Sequence, residues 1–192
     1  MGQPKLLLPL GGKTIIERVL AVLVHPQITA RYVVVRKDDL VLQEAVRVAG
    51  GTVLLPDVDP SDMRTSVSFA LQVIQQQFEP RDDDGWLLVP ADHPVLDGGL
   101  IEALVSRWTS HRPAILVPRC SGRRGHPTLF RWSLAREVPQ IPADHGLNWL
   151  LQEHCDSVEE LAVESPAALI DLDTPEDYSR LCQSWDSKLP PA

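Results

Sequence analysis

An aspartate comes directly after an apolar run of the chain. Residues 86–91 read Trp-Leu-Leu-Val-Pro-Ala, and Asp92, His93 and Pro94 follow. In an α/β fold the carboxyl end of a buried strand faces the crevice where ligands bind, and a carboxylate there can hold Mg²⁺ against a nucleotide phosphate. An aspartate in this place also commonly caps the following helix. Asp92 therefore indicates phosphate chemistry only if other residues support it.

Further residues suited to phosphate and metal binding lie far apart in the sequence. Lys5 offers a compact ammonium for a phosphate, although an ordinary solvated lysine is the alternative. Asp171 and Asp173 flank Leu172 after a short apolar segment, so in a strand both would project to one side and could supply a second carboxylate. Capping of a helix that starts at Pro175 is the alternative, and it suits Asp173 better than Asp171.

Two segments are candidate anion or substrate sites. Ser66 is predicted near the start of a helix, where its hydroxyl and the helix amides can hold a ribose or a phosphate; an N-cap role for Thr65 or Ser66 explains the pattern equally well. The loop 121–127 contains Arg123, Arg124 and His126, which suit a hydrogen-bonding, phosphorylated ligand, but a mobile surface loop is equally consistent with it.

A glycine pair near the start is not a phosphate-binding P-loop. Gly11, Gly12, Lys13 and Thr14 resemble the end of such a loop, but Leu7 stands where its first glycine is required. The sequence instead predicts Lys13 on the surface and Thr14 as the N-cap of a helix.

Composition limits the classes of partner. The 192 residues are 44% hydrophobic with a net charge of −8, which fits one domain and argues against nucleic acid as the main partner. The three cysteines are odd in number and widely spaced, as in a cytoplasmic protein with reduced thiols, and zinc is not expected. No segment predicts a membrane span or a signal peptide.

Apolar strands alternate with amphipathic helices. This alternation predicts an α/β fold, a three-layer α/β/α sandwich with a mostly parallel sheet, over a single domain at 1–187 with a frayed tail at 188–192. The predicted strands are 32–35, 52–55, 86–89, 114–117, 128–131, 158–163 and 168–170. The predicted helices are 14–24, 38–49, 65–78, 98–108, 146–153 and 175–182.

The motifs together resemble one family. Residues 1–14 resemble the second half of the opening signature of MobA-like nucleotidyltransferases, particularly the molybdenum cofactor cytidylyltransferases, and further matches follow in order at 62–67, 92–94, 125–127, 144–146 and 171–178. The resemblance implies a Rossmann-like, nucleotide-diphospho-sugar transferase-like sheet. The family's first strand and glycine-rich turn would precede Met1, so we expect either unpaired strand edges or residues 5–10 filling the gap, with impaired catalysis by a chain that starts at Met1.

The resemblance also implies an activity. It is that of a CTP:molybdopterin cytidylyltransferase, which transfers CMP, releases pyrophosphate, uses Mg²⁺ and passes its product to a molybdoenzyme. The open alternatives are GTP or a sugar-phosphate or alcohol-phosphate acceptor on the same fold, and a catalytically impaired cofactor-binding or chaperone homologue. The implied residues are Lys5 and Asp92 for catalysis, Lys5, Ser66 and Asp92 for the nucleotide, Asp92, Asp171 and Asp173 for the metal, and Arg124, Gly125, His126, Pro127 and Asp144 for the acceptor.

Overall fold

A computed structural model describes residues 4–186, in which helices and strands alternate as predicted. The predicted tail at 188–192 lies outside the described residues. The strands are β1 (Pro9–Leu10), β2 (Lys13–Thr14), β3 (Tyr32–Val34), β4 (Thr52–Leu54), β5 (Gly85–Leu88), β6 (Ile115–Cys120), β7 (Arg123–Arg124), β8 (Thr128–Arg131) and β9 (Val158–Ala162). The α-helices are α1 (Ile15–Val22), α2 (Leu40–Val48), α3 (Met63–Phe78), α4 (Gly98–His111), α5 (Asn148–Glu153) and α6 (Pro175–Asp186).

The start of the described chain is a hairpin followed by a capped helix. Gly11 and Gly12 have φ values of 52° and 78°, which glycine adopts without steric cost, and they turn β1 into β2. Thr14 then caps α1, because its hydroxyl accepts from the Glu17 amide while the Glu17 carboxylate accepts from the Thr14 amide. The N-cap at Thr14 and the exposed position of Lys13 are thus confirmed.

The main sheet has the order β5-β8-β6-β7, with β9 paired to residues 115–119 along the other edge of β6. β5, β6 and β9 run in one direction and β8 runs antiparallel between β5 and β6. β8 is reversed because residues 121–127 are too few to form the crossover that a parallel connection requires. β3 and β4 form a separate parallel pair. The predicted α/β fold with a mostly parallel sheet is confirmed. β8 is the strand that runs opposite to β5, β6 and β9.

Helices cover both faces of the main sheet. Alternate side chains of a strand point to opposite faces, so β5, β6 and β8 each contribute to two apolar clusters. On one face α3, α5 and a 3-10 helix at Trp132–Gln140 pack over the sheet, and on the other face α4 does so. The first cluster includes Leu71, Trp86, Ile115 and Phe130, and the second includes Leu104, Leu116 and Leu129.

Within residues 4–186, β3 pairs only with β4, and β5 pairs only with β8. Lys5–Leu7 forms one 3-10 turn, and the β1-β2 hairpin that follows pairs with neither of these strands. The sequence predicted either unpaired strand edges or residues 5–10 filling the gap, and the described residues show the unpaired edges. Leu6 nevertheless packs against the cluster of Leu8, Leu10 and Ile15 and against the α1–α2 cluster, so this segment contributes to the core through side chains.

Two sequence predictions are wrong. The strand predicted at 168–170 is replaced by a 3-10 helix at Pro166–Leu169, because the Ser165 hydroxyl accepts from the Ala167 amide and Pro166 favours a first helical turn. The helix predicted from residue 65 starts at Met63, since Asp62 and not Thr65 or Ser66 is its N-cap. Asp171 and Asp173 therefore do not extend from a strand.

Two predictions from composition can be compared with the structure. Cys120, Cys155 and Cys182 are free thiols, as expected. In the part of the chain that is described, none of the helices has the length and apolar character that crossing a bilayer requires.

Candidate active site

Lys5, Asp92 and Asp173 meet at one point. The Nζ of Lys5 donates to Oδ2 of Asp92 at 2.8 Å and to Oδ1 of Asp173 at 3.3 Å. The side chains of Lys5 and Asp92 are 27% and 29% exposed, whereas that of Asp173 is 70% exposed. Three residues that the sequence separates widely thus form one ionic cluster, in which the Lys5–Asp92 pair is the better shielded from water.

Backbone contacts hold this cluster in place. Asp92 lies in the loop that follows β5, and its carbonyl accepts a hydrogen bond from the Leu172 amide at 3.1 Å. The Leu172 side chain is 1% exposed and packs with Leu8 and Leu10. Because Leu172 is anchored in the core, the aspartates on either side of it are kept at the surface beside Asp92.

The cluster stabilises the charged form of Lys5. Partial burial alone would disfavour the ammonium, but the hydrogen bonds and negative charges of Asp92 and Asp173 outweigh it and raise the pKa of Lys5. Lys5 is therefore a permanent cation at neutral pH. This is the state in which it can neutralise a phosphate.

The same carboxylates are suitable ligands for a hard divalent cation. Asp92 and Asp173 each have an oxygen within 3.3 Å of one nitrogen, so they converge on a cation-sized volume. Mg²⁺ uses one or two protein carboxylates and completes its coordination with water and phosphate, so this pair fits it. Asp171 does not join them through a hydrogen bond, and among residues 4–186 no group of three or more His, Cys, Asp or Glu is placed to hold a metal.

A buried and a partly buried histidine connect the cluster to a cavity. His93 is 5% exposed, with Nε2 4.0 Å from Oδ1 of Asp92, and its ring meets that of His126 edge to face at 5.2 Å. Burial lowers the pKa of both His93 and His126, in spite of the negative charges of Asp92 and Asp171. Both rings are thus held in the neutral form at physiological pH.

The cavity beside His126 has a volume of about 410 Å³, which is in the range of small-molecule sites. Its apolar wall comes from β5, β8 and α5, and its polar groups come from the start of α3 and the loop 143–148. The lining residues are Asp62, Met63, Arg64, Leu88, His126, Thr128, Phe130, Ala143, Asp144, His145, Gly146, Leu147, Asn148 and Leu151.

The predicted acceptor residues do not all reach this cavity. His126 and Asp144 line it. Gly125 and Pro127 flank His126, and a side chain at Gly125 would overlap the Ala168 carbonyl oxygen. The prediction for Arg124 is not supported, because its Nε donates to Glu160 at 2.8 Å on the exposed β7.

Ser66 lies outside the cavity, and Arg64 makes a contact that sequence reasoning missed. The Ser66 hydroxyl donates to the Asp62 carbonyl at 3.1 Å, and Ser66 is not among the described residues that line the cavity. Arg64 lines it and donates from Nη1 to the Ile141 carbonyl at 2.7 Å, which links α3 to the loop 141–148. The sequence gives no signal for this contact of Arg64, since its partner is a backbone atom 77 residues away.

A second cavity, of about 480 Å³, lies at the amino ends of β3 and β4 and includes His25 and Arg31. These two side chains already bond within the protein, His25 to Glu102 and Arg31 to the Leu20 carbonyl. Ligands of open α/β sheets bind at the opposite, carboxyl ends of the strands. The cavity beside His126 is therefore the better candidate, although it is the smaller of the two.

Comparison with known proteins supports a nucleotidyl-transfer site. A family model described as MobA-like NTP transferase domain matches residues 1–158. No protein in a curated set matches the sequence.

Solved structures share the fold. The rv0371c homologue from Mycobacterium sp. strain JC1 has 23% identity and a TM-score of 0.79, covering 97% of this chain and 90% of that chain. Rv0371C from Mycobacterium tuberculosis H37Rv in complex with manganese has 24% identity and a TM-score of 0.74, covering 95% and 93%. A cytidylyltransferase from Leptospira borgpetersenii serovar Hardjo-bovis (strain JB197) has 17% identity and a TM-score of 0.75, covering 97% and 81%. At these identities the likeness shows the fold alone.

Proposed function

Because the chain belongs to the MobA-like NTP transferase domain family and is thus a nucleotidyltransferase, we propose that it transfers CMP from CTP to a molybdopterin-like phosphate acceptor. The observation that carries this proposal is the Lys5 ammonium held between Asp92 and Asp173. A fixed cation and two carboxylates at one point are what a triphosphate with its divalent metal requires.

The transfer needs no covalent intermediate on the protein. A phosphate oxygen of the acceptor attacks the α-phosphorus of CTP, the new P–O bond forms, and the bond to the β-phosphate breaks as pyrophosphate leaves. Negative charge builds on the oxygens around the α-phosphorus and on the leaving group. Lys5 stabilises this charge, because a lysine ammonium is a compact cation that binds phosphate oxygens.

Asp92 and Asp173 would hold the metal. Bound Mg²⁺ or Mn²⁺ supplies charge neutralisation and orientation of the phosphates. A related structure is a manganese complex, which makes Mn²⁺ a suitable probe beside Mg²⁺. With a metal held by these carboxylates, Lys5 would lose both partners and would be available for a phosphate oxygen.

The cavity beside His126 suits the acceptor. Leu88, Phe130 and Leu151 give it an apolar wall for a flat heterocycle, while Thr128 and Asn148 offer hydrogen-bonding groups at its edges. A pterin has both an aromatic face and several polar edges. His126 adjoins His93 and hence Asp92, so the acceptor's phosphate would face the nucleotide.

CTP is proposed over GTP from the resemblance to cytidylyltransferases, and one structural neighbour is itself described as a cytidylyltransferase. The three free thiols fit a reducing compartment, so we place the protein in the cytoplasm, where a molybdoenzyme would receive the product.

Nucleotide titrations test the proposal. Purified protein is titrated with CTP and with GTP, with and without Mn²⁺, and release of pyrophosphate is then followed after molybdopterin is added. The proposal expects metal-dependent binding with CTP preferred and stoichiometric pyrophosphate release. Preference for GTP would overturn the choice of nucleotide, and metal-dependent CTP binding without transfer would favour a catalytically impaired binding homologue.

A further inference from the structure

Helix α6 packs against the segment that carries Lys5. The Tyr178 hydroxyl donates to the carbonyl of Pro9 in β1, and Leu181 is buried with Leu8 and Leu10. Asp173, just before α6, accepts from Lys5 at 3.3 Å. The start of α6 and the segment 5–10 thus meet through an ion pair, a hydrogen bond and an apolar cluster.

Trp185 extends this contact to the hairpin turn. The Arg18 guanidinium lies 3.9 Å from the centre of the Trp185 ring, and the same guanidinium donates to the carbonyls of Leu10 at 2.6 Å and Gly11 at 2.8 Å. A Cβ added at Gly11 would overlap Nε1 of Trp185 and Nη2 of Arg18, whereas a Cβ at Gly12 would meet nothing within 4 Å. Trp185 therefore lies directly on the backbone of the turn.

We infer that α6 positions Lys5 for the nucleotide, and that Tyr178 and Trp185 are positioning residues of the active site. Lys5 lies in a short 3-10 turn outside the described sheets, so sheet hydrogen bonds do not fix it. The backbone of Lys5 is supported instead by the adjoining hairpin, which Tyr178, Leu181 and Trp185 of α6 contact. The inference rests on the proposed role of Lys5 in binding the triphosphate, but the contact itself is independent of that role.

The contact is tested with a matched pair of glycine variants. Gly11→Ala and Gly12→Ala both place alanine at a positive φ, but only the first meets Trp185. Hydrogen exchange of the amides of residues 7–15 should accelerate more in Gly11→Ala than in Gly12→Ala. In a Trp185→Leu background the difference between the two should shrink, because the indole is gone and the Arg18 guanidinium, which stacks on it, is then free to move away from the new methyl group. Equal exchange of the two variants in the native background would overturn the contact.

The positioning role is tested through the nucleotide. Tyr178→Phe removes only the hydroxyl that bonds Pro9, and we expect it to weaken metal-dependent CTP binding about fivefold, the effect of one hydrogen bond. Gln183→Ala, on the exposed surface of the same helix, is the control and should bind CTP as the wild type does. Far-UV circular dichroism confirms that the variants are folded.

A double variant of Tyr178 and Lys5 distinguishes a positioning role of Tyr178 from a general effect on stability. If Tyr178 acts through Lys5, then Tyr178→Phe should no longer weaken CTP binding once Lys5→Met is present. Additive losses in the double variant would overturn the positioning role. Failure of the wild-type protein to bind CTP or GTP with Mn²⁺ would instead contradict the proposed function, and hydrogen exchange of residues 7–15 in Tyr178→Phe would still decide whether α6 holds the hairpin.

Discussion

Nζ of Lys5 lies 2.8 Å from Oδ2 of Asp92, although 87 positions separate the two residues in the chain. The pair is only partly exposed, so water screens it less than an ion pair on an open surface. Asp92 pairs with the Lys5 ammonium, and it is also the proposed metal ligand. Competition between Lys5 and a divalent metal for this carboxylate follows directly from the geometry.

Lys5→Met should separate metal binding from nucleotide binding. Removing the ammonium leaves Asp92 and Asp173 without their shared cation, so Mn²⁺ alone should bind more tightly, by roughly tenfold if one charged hydrogen bond is released. CTP binding in the presence of Mn²⁺ should weaken, because the phosphates lose a cation. Electron paramagnetic resonance of free Mn²⁺ and calorimetry measure the two affinities.

Lys13→Met is the matched control, since Lys13 is exposed on β2 and should affect neither affinity. Weaker binding of Mn²⁺ by Lys5→Met would show that the lysine supports the metal and does not compete with it.

Aspartate-to-asparagine variants should show how much each carboxylate contributes to metal-dependent CTP binding. Asp92→Asn should remove the metal-dependent part of CTP binding, a loss of roughly tenfold to a hundredfold, because Asp92 is the better-buried partner of Lys5. Asp173→Asn should lose less, since Asp173 is 70% exposed. Asp171→Asn should lose least, because Asp171 does not bond Lys5. CTP titrations with and without Mg²⁺ measure the order, and an unchanged affinity in Asp92→Asn would refute its metal role.

Arg64→Met should destabilise the wall of the cavity. Its Nη1 donates to the Ile141 carbonyl at 2.7 Å, and loss of a hydrogen bond from a charged group costs about 1.5–3 kcal/mol in the free energy of unfolding. The KM for the acceptor should rise while the KM for CTP stays near the wild-type value, because Arg64 lines only the cavity. Urea unfolding and steady-state kinetics measure both.

Arg123→Met provides the comparison for Arg64→Met, because Arg123 is exposed on β7. Equal effects of the two substitutions on unfolding, or a matching rise in both KM values, would contradict the proposed location of the acceptor.

The stability of the protein should fall below about pH 6.5. Burial lowers the pKa of His126, with the neighbouring His93 adding to the effect, so the folded protein keeps the ring neutral while the unfolded chain takes up a proton near its ordinary value of about 6.5. The unfolded state then binds more protons, and stability that is present above this pH is lost as the pH falls. Urea midpoints at about pH 7.5 and about pH 5.5 measure the loss.

His126→Gln should reduce that pH dependence, whereas His145→Gln, on the exposed loop, should leave it unchanged. The same midpoint shift in His126→Gln as in the wild type would exclude His126 as its source.

Local sequence patterns were sufficient to predict the helices, the strands and part of the candidate site. Thr14 and Glu17, three residues apart, form the cap of α1. The apolar runs of β5, β6 and β8 reflect burial on both faces of one sheet. Asp92 lies in the loop after β5, so its place near the carboxyl end of that strand could be predicted. These features depend on residues that are close in the sequence, so a single sequence is enough to predict them.

The tertiary structure decided what depends on distant partners. It pairs Lys5 with Asp92 and Asp173, and Arg124 with Glu160. It also joins Arg64, which lines the cavity beside His126, to the Ile141 carbonyl. The sequence determined which charged groups were available and on which elements they lie. Only packing chose their partners, because the strength of an ion pair or hydrogen bond depends on distance and burial, which spacing along the chain does not encode.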